Sequence, residues 1–280
     1  MTTTTLPSPE QKKVFHSTIQ KLLKSQQLKE RLIPYLEQNY PHLLKNEVRK
    51  RRIAECCNTA TFRRYLESGN IQLVSSNFCK YDRICIACAT KRAMRMIKKF
   101  SQGIEANNLW SKQRYYIVLT IKHNKWDKLP DLLHNLMKYK EKIARAYRNS
   151  KRNQQTKKSF FSQFDWMVMS VEIAHKWTNG WHPHINILCC SDTDIPIDIA
   201  KYRWDSRTND QLRSEWIDIT DWSFVHNIRK INVVDQHFSR SGIGEVFKYA
   251  IKFSDLELEQ LAEVMAAQSA AQFRFFAHYG

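Results

Sequence analysis

Thr178-Asn179-Gly180 lies between two runs of strand-forming residues, Phe164 to Ile173 and Trp181 to Cys190. Asn and Gly tolerate the positive φ that tight hairpin turns need, so Asn-Gly flanked by such runs is a strong hairpin signal. A hairpin commits this part of the chain to antiparallel pairing. Tyr115 to Ile121, rich in aromatic and β-branched residues, predicts a buried strand, and Ile71 to Asn77 and Phe224 to Val234 predict others. Helices are predicted between them. Residues 1–55 carry leucines at helical spacing, with breaks at Pro34 and Pro41. In residues 91–106, Ala93, Ile97, Phe100 and Ile104 share one face. Pro130 opens a helix that places Leu132, Leu136, Tyr139, Ile143 and Tyr147 together. Further helices are expected over 208–217, 241–254 and 256–280. Strands and helices mix without a regular β-α-β alternation, so the expected class is α+β with a mainly antiparallel sheet.

With 42% hydrophobic residues the chain of 280 can bury a sizeable core, and six Gly and seven Pro argue against disordered or collagen-like architectures. No run of 18 apolar residues occurs, so no membrane span is expected. The start, MTTTTLPSPE, lacks the basic and apolar regions of a secretory signal, and a cytoplasmic location is expected. Forty-five Lys and Arg against 27 Asp and Glu give a net charge of +18. That surplus favours a polyanionic partner, nucleic acid before an anionic membrane. The seven cysteines are odd in number, which favours reduced thiols or metal ligands over a disulfide framework.

Three groups of residues carry chemistry. His182 and His184 stand at i and i+2 on a strand, so both imidazoles point to one face. Glu172, on the preceding strand across the turn from His182, adds a carboxylate. Two imidazoles and a carboxylate leave coordination positions open, which suits Mg²⁺ or Mn²⁺ acting on a phosphate. Second, a helix over Glu245–Lys252 aligns Glu245 with Tyr249 at i,i+4, and Lys252 follows three residues later. A phenol of ordinary pKa about 10 needs a nearby cation and a polarised phosphate to attack phosphorus. Third, Cys79-x5-Cys85-x2-Cys88 suits tetrahedral Zn²⁺, with Cys56 or Cys57 as the fourth thiolate. Candidate DNA contacts are Arg49, Lys50, Arg51 and Arg52, the helix face of Lys91, Arg95, Lys98 and Lys99, and the basic loop 151–158.

Together these features resemble the HUH endonuclease superfamily and, within it, the rolling-circle replication initiator (Rep) proteins of small plasmids. His182-Pro183-His184-Ile185-Asn186-Ile187-Leu188 matches the metal-binding motif of two histidines around a central residue. Val246-Phe247-Lys248-Tyr249-Ala250-Ile251-Lys252 matches the tyrosine motif, and Tyr116 to Ile121 resembles the core strand that precedes both. The order of the three agrees, and the likeness spans residues 53 to 255. It implies the HUH fold, with a nickase core over 113–255. A basic helical segment (1–55) and a zinc-bearing segment with a basic helix (56–112) would precede that core, and a C-terminal helix (256–280) would follow it.

The resemblance implies that Tyr249 attacks a phosphodiester at the plasmid origin, leaving a 5′-phosphotyrosine and a free 3′-OH primer. His182, His184 and Glu172 would hold the metal, Lys252 would neutralise developing charge or steady the metal site, and Glu245 would activate water for the terminating cleavage. The family's cysteine stretch follows an Arg-hydrophobic-x-x-Cys pattern, which Arg52-Ile53-Ala54-Glu55-Cys56 fits and which favours Cys56 over Cys57. Ile86 stands where a proline is common, a departure that leaves the ligands intact. Implied partners are origin DNA, as duplex and as single-stranded hairpin, with a host helicase and replication proteins; a homodimer stays open. The rival readings are an HUH transposase or relaxase, and a non-catalytic zinc-dependent DNA-binding protein or repressor.

Overall fold

A computed structural model describes residues 9–65, 71–152, 159–195, 211–221, 223, 226–231, 256–270 and 276–279. The chain forms two compact units, residues 1–92 with 257–269, and residues 93–256 with 270–280. The boundary falls inside the expected 56–112 segment.

The first unit opens with three helices, α1 (Pro9–Asn39), α2 (Pro41–Leu44) and α3 (Glu47–Ala54). Leu32, Ile33, Leu36, Leu43, Leu44 and Ile53 are buried here. Pro34 does not break α1. It lies inside the helix and is exposed, while its neighbours Leu32, Ile33 and Leu36 are buried. Packing of those neighbours outweighs the one lost backbone bond. Pro41 does mark a boundary, as the first residue of α2. Asn46 caps α3 by accepting from the Arg49 amide at 2.9 Å. Strands β1 (Ala60–Arg64) and β2 (Ile71–Ser76) pair antiparallel through a bulge at Thr61/Phe62. β1 was not expected, because Ala-Thr-Phe-Arg-Arg lacks apolar alternation. Helix α4 (Ile86–Ala106) starts five residues before the expected point, so Cys88 falls in its first turn.

The second unit holds a five-stranded sheet. Its strands are β3 (Gln113–Thr120), β4 (Trp166–Lys176), β5 (Gly180–Ser191), β6 (His226–Ile231) and β7 (Phe276–Tyr279). The order is β6-β3-β5-β4-β7, and every neighbouring pair is antiparallel. Helix α5 (Leu129–Arg152) links β3 to β4, and α6 (Gln211–Thr220) lies between β5 and β6 in sequence. Both connections span one intervening strand, which makes a β-α-β-β-α-β split arrangement. The α+β class with an antiparallel sheet and flanking helices is therefore present. The expected helix over 256–280 needs correction: α7 covers Leu258–Ala270, and Phe276–Tyr279 pairs with β4 as a strand.

Alternation sorts the sheet into two faces. Tyr115, Ile117, Leu119, Met167, Met169, Val171, Ile185 and Ile187 share one face and are fully buried. On the other face Tyr116, Val168, Leu188 and Cys190 pack with Ile104 and Leu109, flanked by Met96, Ile97, Phe100, Val118 and Trp166. Each such buried aliphatic side chain contributes about 1.5–3 kcal/mol of transfer free energy. The crossover helices are tied together and to the sheet: Trp216 Nε1 donates to the Thr120 carbonyl at 3.0 Å, and the Tyr139 hydroxyl to the Thr220 carbonyl at 3.3 Å. Among the described residues no helix is long and apolar enough to cross a membrane.

Candidate functional site

The apolar face under α4 turns polar towards one end. Continuing from Tyr116, Leu188 and Val168 in steps of two, the same face carries Ser170 and Glu172 on β4 and Asn186, His184 and His182 on β5. The ladder seats Glu172 opposite His184, and His182 opposite Ala174. This corrects the expected pairing of Glu172 with His182. All three residues remain on one face, and the carboxylate is one step deeper. His184 Nε2 lies 2.7 Å from Glu172 Oε2, which also accepts from Asn186 Nδ2 at 2.9 Å. His184 Nδ1 lies 3.2 Å from the His182 carbonyl, which fixes the ring. The Ser170 hydroxyl is buried and has no partner among the described residues. Burying a carboxylate, an amide and two imidazoles on one patch of sheet is costly unless they are paired or used.

A third imidazole joins them. His123 follows β3 in the chain, and its ring centroid lies 4.8 Å from that of His182. Its Nδ1 faces the Ile121 carbonyl at 3.0 Å. Burial, reinforced by the nearby His184 and His123 imidazoles, lowers the His182 pKa to about 4, so the ring is neutral at physiological pH. A neutral His182 imidazole keeps a lone pair for a divalent cation, and the Glu172 carboxylate beside the pair adds the oxygen donor that Mg²⁺ and Mn²⁺ favour. Sequence reasoning missed His123 and gave Asn186 no role. Asn186 was visible as the next same-face position after His184; His123 becomes visible only once β3 is registered against β5.

Cys56, Cys79, Cys85 and Cys88 form the second cluster, in the first unit. All four are buried, and their sulfurs lie within 4.8 Å of one another. The Cys56–Cys88 and Cys79–Cys88 sulfurs are 3.7 and 3.5 Å apart. Tetrahedral zinc with bonds of about 2.3 Å spaces its sulfurs by about 3.8 Å, so the tetrad fits zinc. Backbone amides support it: Cys79 N–H points at the Cys56 sulfur at 3.4 Å, and Lys80 N–H at the Cys88 sulfur at 3.3 Å. Hydrogen bonds from the Cys57, Cys79, Cys85 and Cys88 thiols hold the Cys56 pKa far below the usual thiol range. Those shared with Cys56 push Cys79 and Cys85 upward. The neighbouring thiols thus favour a thiolate at Cys56, and one divalent cation would let all four sulfurs ligate as thiolates together.

Arg51, Arg52, Arg95, Lys98 and Lys99 are exposed, as phosphate contacts must be. Lys50 pairs with Glu37, the Arg49 guanidinium lies 4.6 Å from the Tyr81 ring centroid, and the Lys91 ammonium lies 3.3 Å from the Phe78 centroid. A cavity of about 510 Å³, lined by Lys99, Phe100, Gly103 and Trp166 among others, opens at the opposite end of the α4-covered face. It shares no residue with the histidine group. Tyr249, Glu245, Lys252 and most of the loop 151–158 lie outside the described residues.

The chain is similar to two curated proteins named "Protein rep". One, from Bacillus amyloliquefaciens, is 22% identical over 221 residues, which cover 73% of this chain and 60% of that protein. The other, from Bacillus sp, is 21% identical over 221 residues, covering 73% of this chain and 66% of that protein. The match therefore spans under two thirds of either relative. No family model matches the chain, and no solved structure matches it significantly.

Proposed function

We propose that this chain is a rolling-circle replication initiator of the HUH type, which nicks and rejoins plasmid origin DNA. The observation that carries the reading is the polar patch on an otherwise apolar sheet face, where Glu172 meets His184 at 2.7 Å beside His182. The similarity to two proteins named Protein rep supports it. His182, His184 and Glu172 would hold the divalent ion, with His123 at its edge. When bound, that ion polarises the scissile phosphate as a Lewis acid.

The residues of the chain then divide the work. The Tyr249 phenol gives up its proton, and its oxygen bonds to phosphorus while the phosphorus–O3′ bond breaks. The departing O3′ takes a proton and becomes the free 3′-OH. Phosphorus stays on the 5′ side as phosphotyrosine, so one phosphoester replaces another and the linkage keeps the energy needed for rejoining. Lys252 neutralises charge on the phosphate oxygens, and Glu245 removes a proton from water in the terminating cleavage. Asn186 holds the Glu172 carboxylate in place from behind. The exposed cations on α3 and α4 contact duplex phosphates, and zinc on the cysteine tetrad folds its unit.

Tyr249→Phe keeps the ring and removes the hydroxyl. It is expected to bind origin DNA as the wild type does and to form no covalent adduct with a single-stranded origin oligonucleotide. Peptide mapping should place the wild-type adduct on Tyr249. An adduct on another tyrosine, or cleavage with a free 5′-phosphate and no adduct, would overturn the mechanism.

A further inference from the structure

We propose that Trp126 and Trp177 form a stacking platform for the unpaired bases of single-stranded DNA beside the histidine group. This deepens the nicking function above and rests on it. Both indoles stand far out of the fold, at 83% and 75% exposure, although tryptophan is on average a well-buried residue. Their loops are braced. The Asn124 backbone amide and side-chain amide both donate to the Asp127 carboxylate, each at 2.8 Å. Trp126 N–H donates to Asn124 Oδ1 at 2.9 Å. Trp177 opens the turn that closes with Asn179 N–H on the Lys176 carbonyl at 3.0 Å, and its ring meets His175 edge-on at 5.7 Å. The backbone that presents both rings is therefore braced by local structure.

The two loops touch each other and the site. A Cβ on Gly180 would lie 2.6 Å from the Lys125 carbonyl oxygen, so the backbone after Trp177 is pressed against the residue before Trp126. Two residues beyond Gly180 stands His182, whose ring meets His123 of the Trp126 loop at 4.8 Å. Charge selects the occupant. Lys122, Lys125, Lys128 and Lys176 are exposed in these two segments, and the Lys125 ammonium lies 5.4 Å from the Trp126 ring centroid. The one acid in either segment, Asp127, is taken up by Asn124. Exposed aromatic faces interleaved with cations are what single strands use, because every base offers a π-face and every linkage a phosphate. Duplex DNA keeps its bases stacked on each other and has no use for the indoles.

The test measures the affinity of the full chain for a mixed-sequence single-stranded oligonucleotide, for the same sequence as duplex, and for phosphatidylcholine vesicles containing phosphatidylglycerol. Nicking of origin plasmid is read alongside. Trp126→Ala and Trp177→Ala are each expected to weaken single-strand binding about five- to hundredfold. The slope of log affinity against log salt should stay unchanged, since no phosphate contact is lost. Duplex and vesicle binding should be unaffected, and Trp→Phe at either position should restore most of the loss. Unchanged single-strand affinity in the double alanine variant would overturn the platform, and so would an equal loss on duplex. A loss confined to the anionic vesicles would assign the indoles to a membrane surface instead. Wild type that never nicks yet binds single strands through these indoles supports the platform and overturns the nicking function alone.

Discussion

The cysteine tetrad and the histidine–glutamate patch are both candidate metal centres, built in opposite ways. The tetrad offers four sulfurs, all buried, and a tetrahedral ion would use every one. The sheet patch mixes nitrogen and oxygen donors, its imidazoles are half-buried, and its supporting amide comes from behind. A closed sulfur site has no position left for substrate, so its free energy goes into folding; an open mixed site leaves positions for a phosphate. The difference predicts that damage to one shows in a melting curve and damage to the other in a rate.

The largest effect should come from the tetrad. Cys85→Ser with Cys88→Ser, or strong chelation of the wild type, should remove about one zinc per chain and unfold the first unit. Structural zinc in small peptides supplies roughly 10–16 kcal/mol of apparent binding free energy. Metal analysis and thermal melting check this, and a chelated protein that melts unchanged would break the comparison. Next comes the patch. His182→Ala and His184→Ala should each reduce nicking by more than the roughly 10–100-fold typical for a supporting partner. Melting and duplex affinity should stay near the wild type. Full nicking by both variants in Mg²⁺ or Mn²⁺ would remove the patch from catalysis.

The two centres were unequally legible in the sequence. The tetrad could be read because Cys-x2-Cys spacing is local and thiolates are few. Its fourth member was narrowed to Cys56 or Cys57 but not chosen on spacing alone, since adjacent residues differ only in which way the backbone turns. The patch was legible as a face, because alternation alone places His182 and His184 together. Its pairing was not. Partner identity depends on the length of the hairpin loop, and the loop is Trp177–Asn179 with Lys176 paired to Gly180. That loop sets Glu172 against His184 while leaving every residue on its expected face. β1 and β7 were missed for a related reason: both are short and gain their strand state from a partner more than from pattern. His123 belongs to the site only through the register of β3 on β5, which no local signal encodes.

Gly180 tests the patch at the level of its scaffold. Its φ of +74° lies where L side chains are strained, and a Cβ there would stand 2.6 Å from the Lys125 carbonyl oxygen. Gly180→Ala should cost about 1–3 kcal/mol, read as a lower melting temperature. Nicking should fall with it, because the loop that carries His123 must shift. Zinc content should stay the same. Loss of zinc in this variant would show that the two centres are energetically one, and their contrast would fail.

The smallest effect should be Cys57→Ser, and it decides which neighbour completes the tetrad. The Cys57 sulfur lies 3.7 Å from that of Cys56, near enough to donate a hydrogen bond. It is nevertheless outside the group of four sulfurs that lie within 4.8 Å of one another. Its backbone explains why: at φ 65° it leaves the helical path of α3, and its amide bonds the Asn77 carbonyl at 3.3 Å. Cys56 instead receives the Cys79 amide at 3.4 Å, the kind of second bond that fixes a ligand sulfur. A serine at position 57 keeps a donor for Cys56 and nearly the same volume. Cys57→Ser should therefore hold its zinc and melt within about 1 kcal/mol of wild type. Cys56→Ser should lose the metal and behave like the double variant. If the outcomes are reversed, Cys57 is the ligand, and the tetrad must close through a turn of the backbone after α3 other than the one described.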